Sequence, residues 1–220
     1  MDTTKTKIKH KKYKTLMPNT NSSTIKVQKR DGRLEDLDIN KIHFVVEEAC
    51  EGLSGVSSSQ IEMNANIQFY DGMTTKDIQN VLVRSANDLI SLEAPNYQYA
   101  AARLLSYDVR KEAHGQYEYI PLLKLILRNV RSGVYDKGIL DKYTKTDIKK
   151  FNTWIKRERD LKFTYAGLRQ ICDKYLVQDR SSGQIYETPQ DMYMMIAATL
   201  FADYPTKTRM SYVKKYYDAI

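Results

Sequence analysis

The residues with the clearest chemical capacity are Lys29-Arg30-Asp31-Gly32, followed by the run Glu35-Asp36-Leu37-Asp38-Ile39-Asn40-Lys41. Two cations flank a turn signal, and a third stands just inside what reads as a helix start. Unpaired amides at a helix start carry partial positive charge, so with Lys29, Arg30 and Lys41 beside them they suit a phosphate. The same pattern also describes an ordinary charged turn before a capped surface helix, and the residues alone leave both readings open. Nothing nearby suggests covalent or hydrolytic chemistry. The chain has no P-loop, no dinucleotide fingerprint, no H-E-x-x-H and no serine elbow. His10, His43 and His114 are scattered, with no spacing that would hold a metal. Cys50 and Cys172 lie far apart in no C-x-x-C pairing. They read as small buried apolar residues in a protein of a reducing compartment.

A hairpin and a set of helices must hold the charged run. Thr24 to Gln28 alternates like a half-buried strand, and Asp31-Gly32 predicts a type I′ turn with a return strand from Arg33 towards Leu37. Ile42, Val45, Val46, Ala49, Cys50 and Leu53 form one helical stripe, with Asp38 or Asn40 to cap it. A second helix starts in Ser57-Ser58-Ser59 and is broken by Asp71-Gly72. Thr74 or Thr75 caps a third, carrying Ile78, Val81, Leu82 and Leu89 and ended by Ala94-Pro95. Asn96 opens a fourth, with Tyr97, Ala100, Ala101, Leu104 and Leu105 facing inward, and it reaches Gly115. Residues 25–115 therefore read as a hairpin on a four-helix cluster.

The remainder, 116–220, is also helical. Pro121 suits a first helical position before Leu122, Leu123, Ile126 and Val130, and Gly133 ends that helix. Further helices are expected over Thr146 to Arg159, after Thr164, from Thr188-Pro189 and from Thr206. A second hairpin is expected where Leu176-Val177-Gln178 and Ile185-Tyr186-Glu187 flank Ser181-Ser182-Gly183. The fold class is mainly α with small β-hairpins. The last helix runs to Ile220 without a stop signal, which predicts docking on further structure. The most apolar stretch, Met192 to Ala202, is too short to span a bilayer, which needs about 20 residues.

The formal charge of +8 is unevenly placed. Residues 1–24 hold six lysines and one acid and so carry five of those eight charges. That segment reads as a solvated basic tail with too little apolar surface to offset its ordering entropy. The folded part carries only the remaining three, which argues against a nucleic-acid surface.

Longer stretches carry a family resemblance. Val27 to Gly32, Asp38 to Ile42 and Ile67 to Thr75 resemble the ATP-cone, the overall-activity switch of ribonucleotide reductases. Asp88 to Ile90, Ala94 to Tyr99, Ala101 to Leu104, Lys174 to Gln178, Gly183 to Glu187 and Arg209 to Lys214 continue the likeness. Together these resemble the amino-terminal region of a class I large subunit, the cone followed by the helical approach to its ten-stranded α/β barrel. The resemblance implies an ATP- or dATP-binding site formed by Lys29, Arg30, the run Glu35 to Lys41, Thr75 and Lys111. Magnesium could accompany the nucleotide, and no cofactor for chemistry is implied in this chain. It further implies a cytoplasmic protein (host cytoplasm if viral). Its partners would be the rest of the large subunit, in a naturally split phage or bacterial form, and a radical-generating small subunit. The family's catalytic cysteines lie beyond this region, and Cys50 and Cys172 do not match them. Three positions depart from a dATP-inhibited cone. Asp38 stands in place of an asparagine, and Gln79 and Asp108 stand in place of histidines. The resemblance therefore predicts weak nucleotide binding, or binding without dATP shut-off.

Two alternatives are non-catalytic. A cone-bearing transcriptional regulator would place a four-cysteine zinc ribbon before the cone, where this chain has lysines and no cysteine. A nucleotide-binding regulatory module or helical scaffold with a vestigial cone is separated from the reductase reading by nucleotide calorimetry.

Overall fold

The computed structural model describes residues 25–220. The expectations for the basic tail and for His10 lie outside them.

Strand β1 (Lys26–Gln28) buries Val27 and turns Lys26 and Gln28 outward, as strand alternation requires. It pairs antiparallel with β2 (Leu34–Asp36), with Val27 opposite Glu35. The connecting turn differs from the type I′ expectation. The Gly32 N–H donates to the Lys29 carbonyl at 2.9 Å and the Lys29 N–H to the Arg33 carbonyl at 2.8 Å. Gly32 has φ +86°, while no non-glycine residue among those described has positive φ. This is the three-residue loop class that ends on a left-handed glycine; a type I′ turn would need Asp31 left-handed too. A third strand not foreseen from the sequence, β3 (Met73–Thr74), lies parallel to β1, giving the order β2-β1-β3. Two residues are too few to show alternation, and a long-range partner alone creates it.

Helix α1 (Ile39–Cys50) is capped by Asp38, α2 (Ser58–Asn66) by Ser57 and α3 (Thr75–Asn87) by Thr74. α2 ends well before Asp71-Gly72. α3 stops before Leu89, which packs on the core from the following turn. α4 (Tyr97–His114) ends on Gly115 with φ +71°. Its Ala100, Ala101 and Ala102 are wholly buried, and such small side chains let α1 and α3 approach closely.

Beyond it, α5 (Leu122–Arg131) begins after Pro121, whose ψ of 139° makes it the cap and not the first helical residue. A short α6 (Gly138–Lys142) was not foreseen. α7 (Lys145–Trp154) ends five residues before the expected Arg159, and residues Arg157–Lys162 tighten into a 3-10 segment. α8 (Tyr165–Lys174) and α9 (Pro189–Leu200) follow Thr164 and Thr188, and α10 (Thr206–Ala219) starts at Thr206, as expected. The second hairpin reduces to one antiparallel bridge, Gln178 with Ile185.

Two apolar cores result. One joins the sheet to α1–α4, and the other joins α5, α7, α9 and α10. The packing does not divide at residue 115. Leu168 and Cys172 of α8, which lies on α4, belong to the first core, as do Leu176 just beyond α8 and Met192 of α9. A buried polar seam runs between the cores. His114 Nε2 lies 3.2 Å from Asp191 Oδ2, and Arg157 holds Asp191 Oδ1 at 2.6 Å and Thr188 Oγ1 at 2.9 Å. Burial alone would raise the Asp191 carboxyl, but the His114 hydrogen bond and the Arg157 charge hold it far below the usual range. Nearby, Asp160 Oδ1 accepts from Gln190 at 3.0 Å, while its Oδ2 is buried with no partner. Burial pushes that carboxyl up to about 7.

Candidate functional site

The sheet, the start of α1, the start of α3 and the last turns of α4 enclose a cavity of about 130 Å³. Each wall follows from local structure described above. The hairpin sets Lys29 diagonally across from Glu35, within ion-pair reach. The Asp38 cap fixes where α1 begins and so where Lys41 sits. The Thr74 cap places Thr75 at the first position of α3, and α4 carries Lys111 in from the opposite side. Val27, Ile42, Val45, Ile78 and Leu82 form the apolar floor.

Of the residues singled out from the sequence, Lys29, Glu35, Asp36, Leu37, Asp38, Lys41, Thr75 and Lys111 line this one cavity. Arg30 lines an adjoining groove with Lys76, Glu112 and Gln184, and that groove shares Lys29 and Thr75 with the cavity. Ile39 and Asn40 do not line it; both are exposed on the outside of α1. The floor residues were not named as site residues, because an apolar stripe at helical spacing reads as core. Their proximity to three lysines is visible only in the fold.

The electrostatics differ from the simple phosphate reading. The α1 amides expected to meet an anion already have one. Asp38 Oδ1 accepts from the Asn40 N–H at 3.1 Å and from the Lys41 N–H at 3.4 Å. Most cations here also have a carboxylate. Lys29 Nζ is 3.2 Å from Glu35, Lys41 Nζ 3.4 Å from Asp38 and Arg30 Nη2 2.6 Å from Asp108. Burial raises the Asp108 carboxyl, and the Arg30 charge opposes that rise. Lys111 is the exception. Among the described residues no carboxylate lies within ion-pair distance of it. Burial and then the neighbouring Arg30 charge lower its ammonium, the condition of a cation lacking a close counter-ion. Gln79 lines the same cavity but is buried, its Nε2 donating to the Leu104 carbonyl at 2.8 Å. Its amide is therefore committed to α4.

A larger groove of about 700 Å³ lies elsewhere, walled by apolar residues of α9 and Tyr135, Ile139 and Tyr175. Its one buried acid, Glu187, accepts from Tyr135 Oη and from the Val177 N–H at 3.0 Å, and burial pushes it up to about 7. These bonds are internal and commit the Glu187 carboxylate to the protein. Among the described residues no group of three or more His, Cys, Asp or Glu could hold a metal ion. Burial pushes Cys50 up to about 11 and Cys172 up to about 12, so neither is a thiolate at neutral pH. No helix among the described residues is long and apolar enough to cross a membrane.

Residues 25–112 match the family model described as the ATP cone domain, and residues 161–220 match that described as the ribonucleotide reductase all-alpha domain. The chain is 47% identical over 194 residues to ribonucleoside-diphosphate reductase 1 subunit alpha of Escherichia coli K12, covering 88% of this chain and 26% of that protein. It is 43% identical over 198 residues to the subunit alpha of Haemophilus influenzae, covering 90% and 26%. Against the subunit alpha of Enterobacteria phage T4 it is 42% identical over 198 residues, covering 89% and 26%. The chain spans about a quarter of the length of the curated relatives it matches.

Proposed function

With an ATP cone at residues 25–112 and the ribonucleotide reductase all-α domain at residues 161–220, this chain, we propose, supplies the effector-binding front of a ribonucleoside-diphosphate reductase large subunit. The reduction of ribonucleotides to deoxyribonucleotides for DNA synthesis then belongs to the assembled enzyme. In this reading the reactive thiols belong to the rest of the enzyme; burial holds the thiols of Cys50 and Cys172 towards the protonated form. Its partners are the rest of the large subunit and a radical-generating small subunit, in the cytoplasm of a cell or of a virus's host. The working units are the cone at 25–115 and the helical part of the large-subunit domain at 116–220.

In this reading the cavity takes ATP or dATP, with Mg²⁺ on the phosphates. Lys111 carries the argument. A partly buried ammonium without a carboxylate, facing a cavity with two further lysines and a threonine hydroxyl, is stabilised by an anion. The paired state of Lys29, Arg30 and Lys41 makes binding weak, because phosphate must displace Glu35, Asp108 and Asp38. Arg30, Ile39 and Asn40 act at the margin of the site. Asp38, Gln79 and Asp108 each have protein partners and offer no positive charge to a nucleotide, so dATP does not shut the enzyme off.

Calorimetry with Mg-ATP and Mg-dATP tests the site, and a reductase assay with the complementary large-subunit part and a radical subunit tests the role. Saturable ATP binding in the micromolar to millimolar range is expected. Absence of ATP binding up to several millimolar refutes the site; full inhibition by micromolar dATP refutes the altered-cone reading.

A further inference from the structure

Two neighbouring helices each present one residue to the cavity and the next residue to a side-chain pair that abuts the second hairpin. On α3, Thr75 lines the cavity while Lys76 reaches Glu112 of α4, Nζ to Oε2 at 3.4 Å. On α4, Lys111 lines the cavity while Glu112 Oε1 accepts the Ile185 N–H at 3.0 Å. The Glu112 backbone carbonyl also accepts from Gln184 Nε2 at 3.4 Å. Ile185 stands opposite Gln178 in the hairpin, whose main-chain bonds are made by the flanking residues, Asp179 N–H to the Gln184 carbonyl and Tyr186 N–H to the Val177 carbonyl, so the Ile185 N–H is left to Glu112. Only 9% of the Glu112 side chain is exposed, against 50% for Lys76. Glu112 is thus a nearly buried carboxylate with one cationic partner and one main-chain donor.

We infer that Glu112 is a positioning residue that transmits occupancy of the cone cavity to the hairpin at residues 178–185. The inference rests on the nucleotide reading above and adds the route by which that site is sensed. Phosphates seated at Lys111 and Thr75 compete for Lys76, whose ammonium already lines the adjoining groove. They also add negative charge beside Asp108 and Glu112. A nearly buried carboxylate that loses its counter-ion is costly, and the cost falls when it turns to water and releases the Ile185 amide. Nucleotide therefore frees the Ile185 amide and loosens the attachment of the hairpin to α4, while the hairpin's own main-chain bonds stay in place. By linkage, a chain with the clasp already open binds nucleotide more tightly.

The test measures amide exchange at Ile185 by NMR on the full chain, with and without Mg-ATP, with calorimetry on the same samples to establish occupancy. In the parent chain ATP is expected to speed exchange at Ile185 at least about fivefold, the lower end of ordinary coupling between sites. Glu112→Gln keeps an acceptor for the amide and drops the charge that holds Lys76. It should bind ATP at least as tightly, with exchange at Ile185 no longer responding. Lys76→Ala breaks the same clasp from an exposed position and should give the same loss of response. Glu93→Gln removes an exposed carboxylate that lines neither the cavity nor the adjoining groove, and it should keep the response. ATP binding in the parent chain without a change at Ile185 overturns this inference alone, as does a parent-like response in Glu112→Gln. Failure of the parent chain to bind ATP overturns the nucleotide reading and this inference with it.

Discussion

Replacing Asp160 by asparagine should make the protein progressively more stable relative to the parent as pH rises from 5 to 8. Asp160 is 2% exposed, and only one of its two carboxylate oxygens has a partner, Gln190 at 3.0 Å. Burial raises its carboxyl from 3.8 to about 7, against the opposing Gln190 hydrogen bond and Arg157 charge. The folded chain thus keeps this proton over a range in which the unfolded chain has lost it, and stability falls as pH rises through that range. Taking 3.8 unfolded and about 7 folded, the loss between pH 5 and pH 8 is about 2.5 kcal/mol as an upper figure. Asparagine preserves the shape and the acceptor for Gln190 but has no charge to bury. Its amide group does need an acceptor where Oδ2 has none, a penalty of about 1–3 kcal/mol that is the same at both pH values. Urea unfolding of both proteins at pH 5, 6, 7 and 8 isolates the titration, since the asparagine penalty cancels in the slope. The difference between variant and parent should shift towards the variant by about 1–2.5 kcal/mol from pH 5 to pH 8. Parallel stability curves would show that Asp160 is already ionised in the folded protein, and the reasoning would fail.

Three further outcomes follow from the same geometry. Arg157→Ala leaves the buried Asp191 with His114 and the Thr188 N–H and hydroxyl but without its guanidinium, and should cost about 3–5 kcal/mol, read as a large drop in denaturation midpoint. Lys111→Ala removes the cavity's cation that lacks a carboxylate partner among the described residues. ATP affinity should fall about tenfold or more, equivalent to about 1.4 kcal/mol in calorimetry, while thermal stability changes little. Gly115→Ala forces a side chain into φ +71° at the end of α4 and should destabilise by about 1 kcal/mol although nothing lies within 4 Å of the added carbon.

Much of this architecture can be read from local signals. Asp38, Ser57, Thr74, Thr164 and Thr188 all cap helices, since a short polar side chain before an apolar stripe acts within three residues of its own position. The elements that escaped are those made by distant partners. β3 exists because Gly72 and Met73 meet β1, and the 3-10 segment exists because Arg157 and Asp160 are drawn towards Asp191 and Gln190. In the cavity the residue types and the basic cluster were legible, and so was the capacity of Asp38 to cap α1. What the sequence could not display was the pairing across elements. Arg30 and Asp108 are 78 residues apart in the chain yet 2.6 Å apart in space, and that pair turns a basic turn into a partly neutralised one.

The helix α8 has a consequence for the cone as a movable cassette. Leu168, Cys172 and Leu176 close the first core from more than fifty residues beyond α4, and Leu168 is wholly buried there. Severed behind Gly115, the cone would leave that face of α4 in water, at about 1.5–3 kcal/mol for each large apolar side chain uncovered. A piece cut there keeps its first core closed only if α8, or another cover for the same stripe, comes with it.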